Sequence, residues 1–168
     1  MQIDAKFLVE HLEYSWWASQ RAMESVRPLT VEEQTRYMYT SHHGVLATLV
    51  HIYQADRIWL SRLRGTPRLT LADANEVFTL DSLAEAWRKV SQDFEIWTRE
   101  LSDDAVTGLL KYVNLQGKTY ELPIWQVILH VVNHASYHRG QITTMLRQLN
   151  HNPLVTDLVA YYNRHAQR

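Results

Sequence analysis

The chain has 168 residues, 46% of them apolar and 21% charged, with a formal net charge of −1. That length fits one domain burying about two-thirds of its unfolded surface, and the near-neutral balance offers no electrostatic attraction to nucleic acid or an anionic membrane. Five Gly and four Pro are too few for the turns of an all-β fold, and the absence of cysteine excludes disulfides, a cysteine nucleophile and thiolate zinc sites.

Met1 to Glu13 carries Asp4, Lys6, Glu10 and Glu13 with no unbroken apolar core, so it reads as neither a signal peptide nor a membrane span. A cytoplasmic protein is the expectation. Phe7, Leu8, Leu12, Trp16 and Met23 fall close to helical spacing from Asp4 to about Val26, with Asp4 as a cap and Arg27-Pro28 as the stop. Thr30 followed by Glu33 predicts a capping box for a short turn. A second long helix is expected from Ser41 to about Arg64, ending at Gly65-Thr66-Pro67. A third has Ser82 as N-cap, Glu85 at its third position, and continues through Trp87, Val90, Phe94, Trp97 and Leu101.

Between Lys111 and Leu122, two runs rich in Tyr, Val and Thr flank Asn114-Leu115-Gln116-Gly117, which reads as a small hairpin. Pro123, at a first helical position, opens the last long helix, which runs to about Asn150; Asn152-Pro153 breaks it. Thr156 or Asp157 starts a short terminal helix through Tyr162. Four long helices joined by unequal links make an all-α four-helix bundle the most economical architecture, one domain over residues 1–168. Two of the links are long enough to cross the bundle, so simple up-down-up-down order is not required.

The last long helix holds the most informative pattern. His130, His134 and His138 are spaced by four, so neighbouring pairs share a face. His130 and His138 are two turns apart, roughly 12 Å of rise, so all three cannot bind one ion. On a helical wheel, Ile124, Ile128, Val131, Ala135, Ile142, Met145 and Leu149 form an apolar stripe with His138 just inside its edge. His134 lies further out on the same side and His130 further still, so His134 and His138 are the pair nearest the interior, with His130 at the rim.

A metal held by two imidazoles needs further ligands. His51 is a candidate: Gly44, Thr48, His51, Ala55 and Ile58 share one face of mostly small residues, opposite Val45, Leu49, Ile52, Tyr53, Leu60 and Leu63. Small neighbours would leave a cavity around His51. His42 and His43 read as surface or cap residues. Spacing alone leaves two readings open, a metal site or histidines simply packed in the core and on the surface.

At these residues the chain resembles the DinB/YfiT-like family of metal-binding four-helix bundles. The resemblance rests on His130-Val131-Val132-Asn133-His134 through His138-Arg139-Gly140-Gln141, with Leu146-Arg147-Gln148-Leu149 and Thr156-Asp157-Leu158 after it. It is supported by His51 with Ala55-Asp56-Arg57-Ile58-Trp59-Leu60, and by Tyr14-Ser15-Trp16-Trp17-Ala18. Ser19 stands where the family prefers Asn, and Asn150-His151 where Gly is more usual. The resemblance implies up-down-down-up order, a homodimer, and a metal triad of His51, His134 and His138, the set that the wheel also favours.

Three imidazoles suit a divalent transition metal, zinc or nickel first, and leave a coordination position open. A water or thiol there loses its proton readily. Some relatives are thiol S-transferases, so the expected partner is a small-molecule substrate, possibly a low-molecular-weight thiol. The alternatives are a metal-dependent hydrolase, and a non-catalytic metal- or ligand-binding protein connected with stress. Hydrolysis normally wants a carboxylate base, and Asp56 falls on the side of its helix away from His51. The six tryptophans, Trp16, Trp17, Trp59, Trp87, Trp97 and Trp125, read as core or interface anchors. Tyr53 and Tyr137 read first as buried packing and second as proton donors near the site, and Asn133 and Gln141 as residues that orient an imidazole. Arg139 reads first as a structural hydrogen-bond donor and second as a partner for an acidic group or an anionic substrate.

Overall fold

The computed structural model describes residues 3–66, 77–114 and 116–166. Among them are seven helices and one hairpin. The long helices are α1 (Ala5–Val26), α3 (Val45–Leu63), α4 (Leu80–Thr98) and α6 (Ile124–Gln148). Short helices α2 (Val31–Thr35), α5 (Asp103–Val106) and α7 (Leu158–Ala166) decorate the links. Strands β1 (Leu109–Val113) and β2 (Thr119–Pro123) pair antiparallel, with Tyr112 opposite Tyr120. Leu115, in the expected hairpin loop, lies outside the described residues.

Local chemistry accounts for most boundaries. Asp4 accepts from the Phe7 amide at 2.7 Å and caps α1. Thr30 and Glu33 form the reciprocal capping box of α2. Three starts differ from expectation. α6 opens at Ile124, with Pro123 as its N-cap and the last residue of β2 instead of the first helical residue. The cap of α4 is Thr79, with Ser82 returning the bond from the third helical position, so Ser82 serves the box without being its first member. α3 begins at Val45 with Gly44 as N-cap, leaving Ser41 to His43 in a turn rather than a helix.

Direction follows from the contacts at the helix ends. The first amide of α1, Ala5, donates to Asp103 at 2.8 Å, and the first amide of α6, Ile124, to the Gly108 carbonyl at 2.9 Å. At the other end Ser25 accepts from the Leu154 amide, just past α6. α1 and α6 are therefore parallel. α3 starts beside the end of α6, where Thr40 meets Met145, and finishes where Arg62 reaches the carbonyl of Val113. α4 starts beside Arg27 and passes Arg64, through ion pairs at Asp81 and Asp93. The order is up-down-down-up.

α6 is buried along two sides, one against α1 and one against α3. Its buried set includes Val127, Ile128, Val131, Val132, Ala135, Ile142, Met145 and Leu146. The facing stretch of α1 offers Ser15, Ala18, Ser19 and Ala22, small enough for close approach. There the guanidinium of Arg139, only 2% exposed, donates to the carbonyl and hydroxyl of Ser15, to Ser19 and to Ser136. It also lies 5.5 Å from the Tyr14 ring centre. The expected structural role of Arg139 is what its contacts describe, and Ser19 supplies one of the acceptors.

Asp56 is also buried, accepting from Trp87 Nε1 at 2.9 Å. Burial pushes its carboxyl up to about 7, opposed by the indole bond and by the charge of Arg139. Asp56→Asn keeps an acceptor for the indole and removes the titration. A folded pKa above the unfolded value means that the folded state holds the extra proton, so this group's contribution to stability declines as pH rises from about 4 to about 7. Asp56→Asn is expected to gain on the wild type across that window, read as the difference in urea midpoint.

Candidate metal centre

Four imidazoles from three places in the chain converge between α3 and α6. His51 is in the second turn of α3, and His134 and His138 are in the middle of α6. His51 Nε2 and His134 Nε2 are 3.1 Å apart. The ring centres of His51 and His138 are 4.6 Å apart, and those of His134 and His138 are 4.5 Å apart. The fourth ring is His42, stacked on His51 at 3.7 Å with an interplanar angle of 17°. The ligating nitrogens of His42, His51 and His138 all lie within 4.8 Å of one another.

α6 explains the aim of its pair. Its stripe seats Val131, Ala135 and Ile142 in the core, so positions 134 and 138 emerge on the side turned toward α3. His138 is buried and its Nδ1 donates to Gln141 Oε1 at 2.8 Å, which directs its Nε2 lone pair into the cluster. Gln141 thus has the orienting role expected of it, whereas Asn133 faces solvent. His130 sits at the exposed rim, its ring 5.2 Å from Trp59 and 5.7 Å from His134. Tyr137 is exposed with its ring 5.0 Å from His138; Tyr53 is buried against Phe78 and Trp87.

His42 lies in the cap region, as expected, but its ring is over the cluster and not out at the surface, and the reason is geometric. Had the helix begun at Ser41, nine residues at about 100° each would have put His42 half a turn away from His51. The turn before Gly44 instead folds His42 back over its neighbour. The available signal was Gly44, an acceptable N-cap immediately before the apolar periodicity.

Electrostatics favours neutral, metal-ready rings. Burial and the neighbouring imidazoles His42, His134 and His138 bring His51 down to about 3. Burial and the rings of His138, His130 and His42 bring His134 down to about 4. His42 is also lowered, first by burial and then by His138 and His43. Neutral imidazole is the ligating form, and imidazole suits late first-row divalent ions. At a ligand distance near 2.05 Å, two nitrogens on a tetrahedral edge are about 3.3 Å apart, close to the 3.1 Å between His51 and His134. The residues fit such an ion.

Over residues 1–168 the sequence matches the model of the DinB family. The chain belongs to the DinB family. It is similar to Protein DinB of Bacillus subtilis (strain 168), 24% identical over 165 residues covering 92% of this chain and 93% of the relative. A second relative, YizA of the same organism, is 20% identical over 155 residues, 90% of this chain and 94% of its own. Among solved structures, a DinB-like protein from Bacillus cereus ATCC 10987 matches with a TM-score of 0.68 at 21% identity, over 92% of this chain and 99% of that one. That likeness speaks for the fold. In this DinB-family chain, no described helix is long and apolar enough to cross a membrane.

The lowered histidines set an expectation for the metal-free protein. A base whose folded pKa lies below its unfolded value near 6.5 adds stability above that value and loses it as pH falls. Urea midpoints in the presence of a chelator are expected to drop from about pH 6.5 downward. His51→Ala and His134→Ala should each make that slope shallower by about one proton.

Proposed function

We propose that this protein binds a divalent transition metal, zinc or nickel, through His51, His134 and His138, and uses it to activate a small thiol for S-transfer to an electrophile. The observation that carries the reading is the approach of His51 Nε2 to His134 Nε2, with His138 beside both and oriented by Gln141. When bound, the ion supplies a Lewis-acid position at which a thiol loses its proton near neutral pH.

The chain's own residues contribute position and surroundings. His134 and His138 share one rigid helix, so their separation is fixed by backbone geometry, and His51 approaches from the helix packed against it. Half-buried imidazoles shield the position from bulk water on one side and strengthen electrostatic interaction there. The thiol sulfur attacks the electrophilic carbon as the bond to the leaving group breaks; the leaving group departs with that electron pair and takes up the proton the thiol gave.

Hydrolysis is less well supported. Among the described residues the cluster of potential ligands contains histidines and no carboxylate, and Asp56 is engaged with Trp87. The cluster therefore offers no carboxylate base for water. The same reading takes the protein to be a cytoplasmic homodimer, the latter open to test by sedimentation.

Protein purified without a polyhistidine tag is expected to carry close to one equivalent of metal per chain, and His51→Ala and His134→Ala to lose most of it. Stoichiometric metal in both variants overturns the triad. In steady-state assays a thiol with an alkylating electrophile is expected to turn over in the metal-loaded protein, while an ester panel is not. Turnover of esters alone reverses the assignment in favour of hydrolysis.

A further inference from the structure

We propose that His42 is a fourth, detachable ligand of this centre, filling the coordination position that an incoming thiol must take. The inference rests on the metal reading above and extends it to a residue outside the triad. Its basis is the mutual approach of the ligating nitrogens of His42, His51 and His138, all within 4.8 Å of one another. The His42 ring is edge-on to His138 at 5.0 Å as well as stacked on His51.

Its backbone setting separates His42 from the other three. His51, His134 and His138 are in the interiors of α3 and α6, and none can leave a shared ion without turning its helix or changing rotamer within a packed interface. His42 belongs to the turn ahead of α3, and moving its side chain disturbs no helical hydrogen bond.

The turn is nevertheless well defined. Met38 and Thr40 bond across it to His43, and the Gly44 amide donates to the His42 carbonyl at 2.8 Å. His43 adopts φ +68°, and a Cβ on Gly44 would collide with the Arg36 carbonyl. This backbone holds His42 over the cluster, and stacking on His51 gives its ring a resting place when it is not coordinating.

The chemistry follows from ligand number. Three imidazoles leave a tetrahedral ion one open position; four close it. A centre closed by His42 is protected from adventitious ligands at rest, and a sulfur nucleophile opens it by displacing the one imidazole that is free to move. The exchange is ligand for ligand: the thiol leaves its proton to solvent, and His42 departs neutral.

The test uses the untagged full chain loaded with cobalt(II), followed by visible spectra and by X-ray absorption to count coordinated imidazoles. The wild type is expected to show four imidazoles and His42→Ala three, with an altered visible band and cobalt affinity lower by about tenfold or more. 2-Mercaptoethanol, titrated as the probe, is expected to bind His42→Ala more tightly than wild type, because no ligand has to be displaced. His42→Gln repeats the measurement with a polar side chain in the turn, and circular dichroism verifies the fold of each variant. Spectra and imidazole counts identical in wild type and His42→Ala, with cobalt lost from His51→Ala, overturn the role of His42 and leave the triad standing. Full cobalt retention in His51→Ala removes the centre and the proposal together.

Discussion

Close packing of α6 between α1 and α3 is the constraint on which the remainder of the structure depends. On the α1 side, small residues at positions 15, 18, 19 and 22 let the helices approach, and the Arg139 guanidinium is shared among serine oxygens instead of meeting water. On the α3 side, the same helix presents His134 and His138 to His51. A buried cation is costly unless its donors are satisfied, and Arg139 finds a partner for both terminal nitrogens. Rotation of α6 about its axis would break that arrangement. The angular placement of the imidazoles is thus set by an interaction on the opposite side of the helix.

The cluster itself runs against the usual preference for apolar interiors. Several half-buried imidazoles near one another disfavour protonation of any of them, through lost hydration and mutual repulsion. Without an ion, the convergence leaves donor nitrogens with little to bind except each other, as in the His51–His134 contact. A divalent cation turns the arrangement from a cost into a source of stability, because it is the partner toward which several lone pairs can point. It would also join α3 to α6 across the 83 positions separating His51 from His134.

Much of this was legible in the sequence because the relevant signals are local. Asp4, the Thr30–Glu33 box and the 3.6-residue periodicity around Val131 and Ile142 depend only on nearby residues, and they set α1, α2 and α6 within a residue or two. His51, His134 and His138 each lie inside a regular helix, where angle follows from residue number, and their ring centres lie within 4.9 Å of one another. His42 was not legible in this way. Its position depends on a left-handed residue, His43, and on a close approach between Gly44 and the Arg36 carbonyl, eight residues earlier in the chain. Helical geometry extended through that turn gives the wrong face. The α4 cap was displaced for a related reason: Thr79 and Ser82 can each serve as a cap, and the choice falls on the residue that leaves Leu80 and Leu83 in the core.

His138 and Arg139 are consecutive, and they look in different directions: one toward α3, the other into the serines of α1. Adjacent residues of a helix share its backbone, so the helix cannot turn at one of them without carrying the other along. The serine pair at 15 and 19 therefore belongs, mechanically, to the imidazole cluster it never touches. A change of size at either serine in the first helix is thereby felt in the placement of imidazoles on the last.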